Sequence, residues 1–441
     1  MSDRVHVIGA GLAGSEAAYQ IARRGVPVRL YEMKPQHYSP AHQSADFAEL
    51  ICSNSFKAAR VDSAAGLLKE EMRRFDSLLM RCADACAVPA GGALAVDRTL
   101  FSAMVTEEIR ANPLIEIVYG EVDAIPDGIT VIATGPLTSD ALAGEIARLC
   151  PESLYFFDAA APIVSAQSID FDRCFYAARY DRGDDDYINC PMNREEYERF
   201  ADELVRAERA PLHDVDAQNP KVYEGCMPIE ILMQRGRDSA RFGPMKPVGL
   251  TDPHTGRRPW AVVQLRTENR EKTLYNLVGF QTNLKFGEQK RVFSMIPGLE
   301  QAEFVRYGVM HRNTFLNAPR LLSADFSLRT KPELFFAGQI TGVEGYMESA
   351  SSGILAGIGA VNRLRGRPPF LLPPTTMMGA LSRYISSYEG KNFQPMGANF
   401  GILPPLETAG TPVEIRDKRK RYQALAERSL YEIEQIKENS L

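Results

Sequence analysis

Two cysteines stand in polar, non-helical surroundings where a thiol could react. Cys52 lies in the segment Leu-Ile-Cys-Ser-Asn-Ser, and Cys226 follows Gly225 and precedes Met-Pro. Cations near a thiol favour its thiolate form, which is the reactive one. Those that follow Cys226 are Arg235, Arg237, Arg241 and Lys246. Each cysteine is therefore a candidate reactive thiol, and the alternative for each is a small, buried apolar side chain.

The other cysteines lie in patterned or apolar stretches, at positions 82, 86, 150, 174 and 190. An odd total of seven suits a reducing compartment better than a disulfide framework. Cys82 and Cys86 lack a partner pair of Cys or His at zinc-finger spacing, so we predict no metal site and expect both to be buried in a helix.

The first 32 residues predict a strand, a glycine-rich turn, a helix and a second strand. In a GxGxxG turn, the first glycine makes the bend and the second lets the backbone approach a pyrophosphate. The third lets the helix lie close to the strand. The candidate ligand-binding residues of this turn are Gly9, Ala10, Gly11, Leu12, Ala13 and Gly14.

The context of this turn favours a dinucleotide site over a chance glycine loop. A β-branched run at residues 5–8 precedes it, and the helix after it ends at Gly25, a good C-terminal residue. A second strand at residues 28–31 then delivers the carboxylate of Glu32 to the place of a ribose hydroxyl. The motif alone leaves both FAD and NAD open.

Two later stretches favour FAD. An apolar strand near residues 129–133 runs into Ala-Thr-Gly, which is typical of FAD proteins of the glutathione-reductase type. The segment 333–348 repeats the pattern of a strand and a glycine turn, and a helix of small residues follows at 349–363. Gly338 and Gln339 are the candidate cofactor-binding residues there. Gln339 stands where many such proteins place Asp, which leaves the usual ribityl contact open.

The sequence therefore predicts an α/β protein, a glutathione-reductase-type FAD-binding Rossmann fold with an inserted mixed α/β domain and a C-terminal helical tail. The expected division is 1–150 and 291–367 for the FAD-binding domain, 151–290 for the inserted substrate domain, and 368–441 for the tail. Within these, we predict one helix at 67–86, another at 98–110 capped by Asp97, and a final helix entered at Pro412.

Net charge is −5, yet residues 231–330 hold 16 Lys and Arg against 8 Asp and Glu. This basic window could meet phosphates or could be a solvated face, as could the basic run at 416–421. Apolar runs are too short for a membrane span, and the first strand leaves no room for a signal peptide. We therefore expect a cytoplasmic protein without a membrane partner.

Seven segments together closely resemble the bacterial folate- and FAD-dependent tRNA (uracil-5-)-methyltransferases, the TrmFO family. The resemblance covers nearly the whole chain, which is too short for the larger relative that modifies the wobble uridine. Two of the segments are Phe-Ala-Glu-Leu-Ile-Cys-Ser-Asn-Ser at 47–55 and Tyr-Glu-Gly-Cys-Met-Pro-Ile-Glu at 223–230. The others are residues 5–32, 66–72, 88–98, 242–250 and 310–314.

The resemblance implies methylation of the T-loop uridine of tRNA. Methylenetetrahydrofolate would give the one-carbon unit, FAD would carry it, and NAD(P)H would supply reducing equivalents. Cys226 matches the family thiol that adds to uracil C6, and Cys52 matches the second family cysteine, our candidate base. Which cysteine takes which role stays open, as do the NADH or NADPH preference and the oligomeric state. Access to a stacked base also implies its extrusion from the tRNA.

Two other functions use the same features. A pyridine-nucleotide:disulfide oxidoreductase would use Cys52 and Cys226 as a redox pair on the same FAD fold, although the close Cys pair usual in such enzymes is missing. An RNA-binding or assembly protein stabilised by flavin would have no turnover. Methyl transfer to unmethylated tRNA separates these hypotheses from the first.

Overall fold

The computed structural model describes residues 3–39, 41–150, 153–181, 186–210, 227–390, 393–408, 411–412 and 415–440. Within these, only the backbone is described for 153–159, 181, 311–314, 408, 411–412 and 438–440. The helices in chain order are α1 (Leu12–Ala22), α2 (Ala64–Arg74), α3 (Leu78–Ala85), α4 (Arg98–Ala111), α5 (Asp140–Leu149), α6 (Arg194–Arg206), α7 (Ile229–Arg235), α8 (Ser239–Phe242), α9 (Phe286–Phe293), α10 (Ala318–Leu321), α11 (Tyr346–Leu364), α12 (Met377–Ser387) and α13 (Lys418–Ser440).

The strands, given the same way, are β1 (Val5–Ile8), β2 (Val28–Glu32), β3 (Ser55–Ala58), β4 (Ala87–Val88), β5 (Ala93–Val96), β6 (Ile115–Tyr119), β7 (Thr130–Ile132), β8 (Ser153–Ala159), β9 (Ile163–Ser165), β10 (Phe175–Tyr176), β11 (Tyr187–Met192), β12 (Ala261–Thr267), β13 (Leu274–Leu277), β14 (Phe304–Arg306), β15 (Met310–Leu316), β16 (Ser327–Leu328), β17 (Lys331–Phe336), β18 (Glu407–Thr408) and β19 (Thr411–Pro412).

The first sheet has the order β16-β17-β7-β1-β2-β6 and is parallel except for the pair β16–β17. Its central strand β1 is buried at every residue, as expected for a parallel strand covered on both faces. Strands from both ends of the chain, β1 and β17, therefore flank β7. This arrangement confirms the predicted α/β class and brings the two nucleotide-binding patterns to one sheet.

The second sheet is antiparallel, with the order β10-β11-β12-β13-β9-β14. Its strands lie between residues 163 and 306, and their apolar side chains form a second core with α6, α7 and α9. The small sheet β3-β5-β4 and the pair β8–β15 lie outside these two main sheets. The residue boundaries predicted for the domains remain a prediction.

The tail packs on the first core. Leu425, Ala426 and Ile433 of α13 belong to the same buried cluster as the first sheet. The carboxylate of Glu71 on α2 accepts hydrogen bonds from Met377 N at 2.6 Å and from Ser429 Oγ at 2.5 Å. One buried acid thus joins α2 to both α12 and α13.

Two helix predictions were wrong in detail. The helix expected over 67–86 is two helices, because Asp76 takes a left-handed conformation (φ 53°) and the Ser77 side chain caps α3 by accepting from Met80 N. The final helix begins at Lys418, and Thr411–Pro412 forms a strand paired with Glu407–Thr408. By contrast, Asp97 caps α4 as expected, accepting from Thr99 N and Leu100 N.

Within the described part of the chain, no helix is long and apolar enough to cross a membrane. The same residues contain no group of three or more His, Cys, Asp or Glu that could hold a metal ion.

Candidate active site

A cavity of about 410 Å³ opens at the carboxyl ends of β1, β2 and β7. Ligands of open α/β sheets bind at this edge. Most of the wall is formed by parts of five segments, within residues 8–13, 31–34, 49–57, 133–142 and 338–349, and His42, residues 120–122 and Gln281 complete it. Of the candidates named from the sequence, those that line the cavity are Gly9, Gly11, Leu12, Ala13, Glu32, Cys52, Gly338 and Gln339.

Two candidates lie behind the wall. Ala10 N donates to Glu32 Oε2 at 2.9 Å, so this residue fixes the carboxylate that faces the cavity. A Cβ on Gly14 would lie 1.8 Å from Gly9 O, which leaves no room for a side chain between α1 and the turn. Gly14 therefore has the predicted packing role.

The glycine turn leaves space on the cavity side. Gly9 has φ 95°, a conformation that favours glycine, and a Cβ there would lie 2.8 Å from Ala133 O. A Cβ on Gly11 would meet no atom within 4 Å. Gly11 therefore borders open space that a side chain would fill, as required for a ligand that approaches the backbone.

Among the helices that begin at this cavity are α1 and α11. Gly11 precedes α1 and Gly345 precedes α11, and neither helix has a side-chain cap. They pack closely, since a Cβ on Gly353 would lie 2.3 Å from Ala13 O. The first N–H groups of a helix have no internal acceptor and carry the positive end of its dipole. The cavity is therefore suited to an anion such as a pyrophosphate.

Glu32 and Gln339 are both held by protein groups. The buried carboxylate of Glu32 also accepts from Lys34 N at 2.9 Å. Each of its two oxygens is therefore held by a backbone N–H group at the cavity edge. Gln339 Nε2 donates to Glu344 Oε2 at 2.6 Å. The amide of Gln339 thus has Glu344 as a partner in the cavity wall. An aspartate at position 339 would repel that carboxylate.

The thiol of Cys52 lies against Tyr346, the first residue of α11. Their sulfur and phenol oxygen are 2.9 Å apart. The same oxygen accepts hydrogen bonds from Cys52 N at 2.8 Å and from Ser53 N at 3.1 Å. A hydroxyl has two acceptor sites and one proton, so the phenol proton is left for the sulfur. Tyr346 therefore donates to Cys52.

Burial raises the pKa of Tyr346 well above its usual value, and the Cys52 sulfur raises it further. The phenol thus stays protonated at neutral pH and remains a donor. A thiolate at Cys52 would be stabilised by this hydrogen bond. In chemical terms, the pair can hold a proton-accepting sulfur in the cavity wall.

Charged groups of α4 and of the second sheet lie near the Cys52 segment. Arg98, the first residue of α4, donates from Nε to Glu268 Oε2 at 3.1 Å and from Nη1 to Leu50 O at 2.7 Å. Burial lowers the pKa of Arg306 on β14, and the positive charge of Arg98 lowers it further. Arg98 therefore connects Glu268, which follows β12, to the Cys52 segment.

Asn54 and Arg266 tie that segment to the second sheet. Arg266 Nε donates to Asn54 Oδ1 at 3.0 Å and Arg266 Nη2 donates to Ser53 Oγ at 2.9 Å. The Asn54 amide donates in turn to Val96 O and to Thr267 O. A substrate held by the second sheet would therefore have a fixed geometry relative to Cys52.

Cys226 lies outside the described residues. The chain is described again from Met227, and Ile229 N donates to Gln281 O at 2.7 Å. Gln281 lines the cavity. Of the cations predicted to act on Cys226, Arg237 pairs with Asp202 at 2.7 Å, and Arg241 pairs with Asp238 and lies over the Trp260 ring.

Tyr346, Arg306 and Glu268 were not identified from the sequence as site residues. The segment 333–348 was recognised as a glycine turn, but a tyrosine at the end of such a turn has no motif of its own. Its contact with Cys52 joins positions 294 residues apart. Neither a motif nor the resemblance indicated that contact.

Comparison with known proteins places the chain in a family. The model of the family "Glucose inhibited division protein A" matches residues 4–368. A protein of Pelotomaculum thermopropionicum is 58% identical over 439 residues, covering 99% of each chain. One of Acetivibrio thermocellus is 59% identical over 432 residues, covering 98% of each. Both are named methylenetetrahydrofolate–tRNA-(uracil-5-)-methyltransferase TrmFO.

A solved structure has the same fold. Aquifex aeolicus GidA, in its form II crystal, superposes with a TM-score of 0.70 at 16% identity, over 98% of this chain and 73% of that one. At this identity the likeness concerns the fold alone. Taken with the family model and the near-full-length relatives, it leads to one conclusion: the chain belongs to the glucose-inhibited division protein A family, and within it to the TrmFO group.

Proposed function

We propose that the chain methylates C5 of the T-loop uridine of tRNA, with methylenetetrahydrofolate as one-carbon donor, FAD as carrier and NAD(P)H as electron source. The observation that carries the proposal is the placement of Cys52 in the wall of a cavity built for a dinucleotide. The names of the close relatives support methyl transfer over the disulfide oxidoreductase alternative. A cytoplasmic location belongs to the same proposal, since none of the six described cysteines forms a disulfide.

The residues of the cavity fit FAD. Gly11 leaves the space that a pyrophosphate needs, and the N-termini of α1 and α11 supply N–H donors for it. Glu32 lies at the carboxyl end of β2, where a ribose hydroxyl binds in such folds. When bound, FAD supplies the transfer of the one-carbon unit and the reducing equivalents that convert it to a methyl group.

The protein's task is to make C5 of uracil nucleophilic and then to remove its proton. A thiolate that forms a bond to C6 sends the ring's electron pair toward C5 and O4, so C5 can attack an electrophilic carbon. We assign this addition to Cys226. After C5 has gained the one-carbon unit, loss of the C5 proton expels the carrier and leaves an exocyclic methylene on C5. A hydride adds to that methylene to give the methyl group, and the electron pair that returns through C5 expels the Cys226 thiolate from C6, which restores the ring. We assign the proton transfer to Cys52.

Geometry supports the division of roles. The phenol of Tyr346 donates a hydrogen bond to the sulfur of Cys52. A sulfur held in this way is suited to accept a proton. A nucleophilic sulfur would have to give up that hydrogen bond to attack the uracil ring. Three peptide units separate Cys226 from Ile229, a span of at most about 11 Å. Ile229 is itself anchored to cavity residue Gln281. The chain that follows Cys226 is thus fixed beside the cavity wall, which supports the assignment of the attack to Cys226.

The experiment follows both thiols. Purified chain is incubated with unmethylated tRNA, labelled methylenetetrahydrofolate, FAD and NAD(P)H. Nucleosides are then analysed for 5-methyluridine, and a denaturing gel reports covalent protein–RNA species. Cys226→Ala should keep FAD but form neither adduct nor product. Cys52→Ala should form an adduct that resolves poorly. Cys86→Ala, at a buried helix-end cysteine away from the cavity, is the matched control and should behave as wild type.

Two results would count against these assignments. Methylation near the wild-type level by Cys226→Ala would remove it as the nucleophile. An adduct abolished only by Cys52→Ala would exchange the two roles.

A further inference from the structure

A basic cluster lies where the tail helix begins, and its residues are all exposed. We name it the tail cluster. Among the described residues, two carboxylates face it: Asp62 bonds to Arg60 and to Arg419, and Asp417 accepts from Lys420 N. The cluster keeps an excess of positive charge after both are counted. Its members are Arg60, Arg416, Lys418, Arg419, Lys420 and Arg421.

The sign of this charge is unusual for its position. The first turn of α13 contains Lys418 to Arg421 and has no acidic residue. Cations there add to the positive end of the helix dipole, whereas Asp and Glu would offset it. Asp417 offsets part of that dipole, because its carboxylate accepts from Lys420 N at 2.8 Å. The exposed cations still outnumber the carboxylates that face them, and the ligand that suits such a surface is a polyanion.

The cations are held on a firm support. The Tyr422 ring stacks on Phe400 with centroids 4.2 Å apart. Lys418 and Arg421 lie over the same ring, 5.4 and 5.6 Å from its centroid. One turn further on, Ala426 is fully buried in the first core. The helix that carries most of the tail cluster is therefore fixed on the first core.

The tail cluster also lies near the cavity. Lys57 lines the cavity wall, and Asp62, which bonds to Arg419, follows it by five residues. Five residues span at most about 18 Å. That distance corresponds to about five base-pair steps of 3.4 Å. A nucleic acid with one base in the cavity would thus have phosphates within reach of the cluster.

The basic window of residues 231–330 is a weaker candidate, because several of its cations face carboxylates. Arg237 pairs with Asp202 at 2.7 Å, and Lys285 pairs with Glu208 at 2.6 Å. Arg291 pairs with Glu203 and Glu288. Three of these partners, Asp202, Glu208 and Glu203, lie outside the window and offset three of its eight excess positive charges.

We propose that the tail cluster binds the phosphate backbone of the RNA whose uridine enters the cavity. This inference rests on the proposed function, and it names the surface that holds the substrate during base extrusion. Phosphate contacts of this kind fix register and orientation without reading sequence. Loss of the cluster should therefore weaken RNA binding and leave the chemistry at the cavity intact.

The test is the triple variant Lys418→Gln, Lys420→Gln, Arg421→Gln. Its tRNA affinity is measured at several salt concentrations, together with FAD content and KM and kcat for methylation. The logarithm of the binding constant falls linearly with the logarithm of the salt concentration, and each neutralised phosphate adds about 0.7 to 0.9 to the size of that slope. Loss of three cations should therefore make the slope smaller by ~2 to 3. KM for tRNA should rise at least tenfold, while FAD content and kcat at saturating tRNA stay at wild-type values.

The matched control is the triple variant Arg363→Gln, Arg367→Gln, Arg383→Gln, which removes the same charge from exposed positions. Arg363 lies at the end of α11 opposite the cavity, about 26 Å along the helix axis. This control should keep the wild-type affinity and slope. An equal loss in both variants would show a general charge effect and overturn the assignment.

Two further outcomes separate this inference from the proposed function. If the wild-type chain methylates tRNA and the tail variant keeps its affinity and slope, the tail cluster is not the RNA surface, although the proposed function stands. If wild type neither binds nor methylates tRNA, both fail. A third arm uses phosphatidylserine vesicles: binding that the tail variant loses, with RNA binding unchanged, would assign the cluster to a membrane surface and overturn the proposal.

Discussion

The sulfur of Cys52 and the phenol oxygen of Tyr346 lie 2.9 Å apart in the wall of the cavity. Tyr346 begins α11, whose N-terminus faces the cavity, and Cys52 belongs to the segment between β2 and β3. Because two backbone N–H groups occupy the acceptor sites of the phenol, its proton points to the sulfur. One tyrosine therefore links the dinucleotide end of the cavity to the thiol.

Tyr346→Phe removes this hydrogen bond with little change of volume. We expect it to retain FAD and to lower the methylation rate by about tenfold, less than the roughly 10²- to 10⁴-fold attributed to a positioned acid–base group, because Tyr346 acts through Cys52. Without the phenol, a thiolate at Cys52 loses a hydrogen-bond donor and forms less readily. The ascending limb of the pH–rate profile should therefore move to higher pH. The measurements are single-turnover rates at several pH values and the flavin absorbance of the purified variant.

Tyr384→Phe is the matched control for that change. Tyr384 lies on α12 and donates to Gln394 O at 2.8 Å, so its replacement also removes one tyrosine hydrogen bond. It should leave the position of the pH–rate limb unchanged. A wild-type profile in Tyr346→Phe would contradict the donor role assigned to Tyr346.

Gly11→Val tests the dinucleotide site. Since a Cβ at Gly11 meets no protein atom within 4 Å, the variant should fold, but its side chain would occupy the space for the pyrophosphate. We expect a folded protein that purifies without yellow colour. Gly287→Val is the control, because a Cβ there also meets no atom within 4 Å and the position lies on α9. Full flavin occupancy of Gly11→Val by absorbance would show that no dinucleotide phosphate lies at this turn.

Local patterns predicted the parts of the fold that local forces determine. The strand at Val5–Ile8, the glycine turn and the cap at Asp97 depend on neighbours within a few residues, and the structure has them at the expected positions. The break between α2 and α3 was missed because an apolar period continued through Asp76. A left-handed residue there and a cap at Ser77 outweigh that period.

The arrangement of the site depends on contacts between distant residues. Arg266 lies 212 positions from Asn54, and Glu71 lies 358 positions from Ser429. No period or motif relates such pairs, since they meet only after the sheets have formed. Sequence resemblance named the cysteines but gave no position for Tyr346 or Arg306. The start of the tail helix was wrong because a capping pattern at Thr411 competes with strand pairing to Glu407–Thr408.

Glu71 should make stability depend on pH. Burial raises the pKa of Glu71 to about 7, although hydrogen bonds from Ser429, Met378 and Met377 oppose the shift. Between pH ~4.5 and ~7 the folded state then binds a proton that the unfolded state has lost. The free energy of unfolding contributed by this group therefore falls as pH rises through that window, and it levels off above pH ~7.

Glu71→Gln should remove this dependence, because an amide does not titrate. A shift from the ordinary value of 4.5 to about 7 corresponds to about 3 kcal/mol, so the stability of wild type relative to the variant should decrease by about that amount between pH 5 and pH 8. Glu70→Gln is the control on the same helix, at a carboxylate that faces Arg73 and Arg74 at the surface. Denaturant unfolding at four pH values measures the difference. A difference in the free energy of unfolding between wild type and Glu71→Gln that stays constant from pH 5 to pH 8 would contradict this prediction. It would mean that the hydrogen-bond donors of α12 and α13 keep the Glu71 carboxylate ionised over that range.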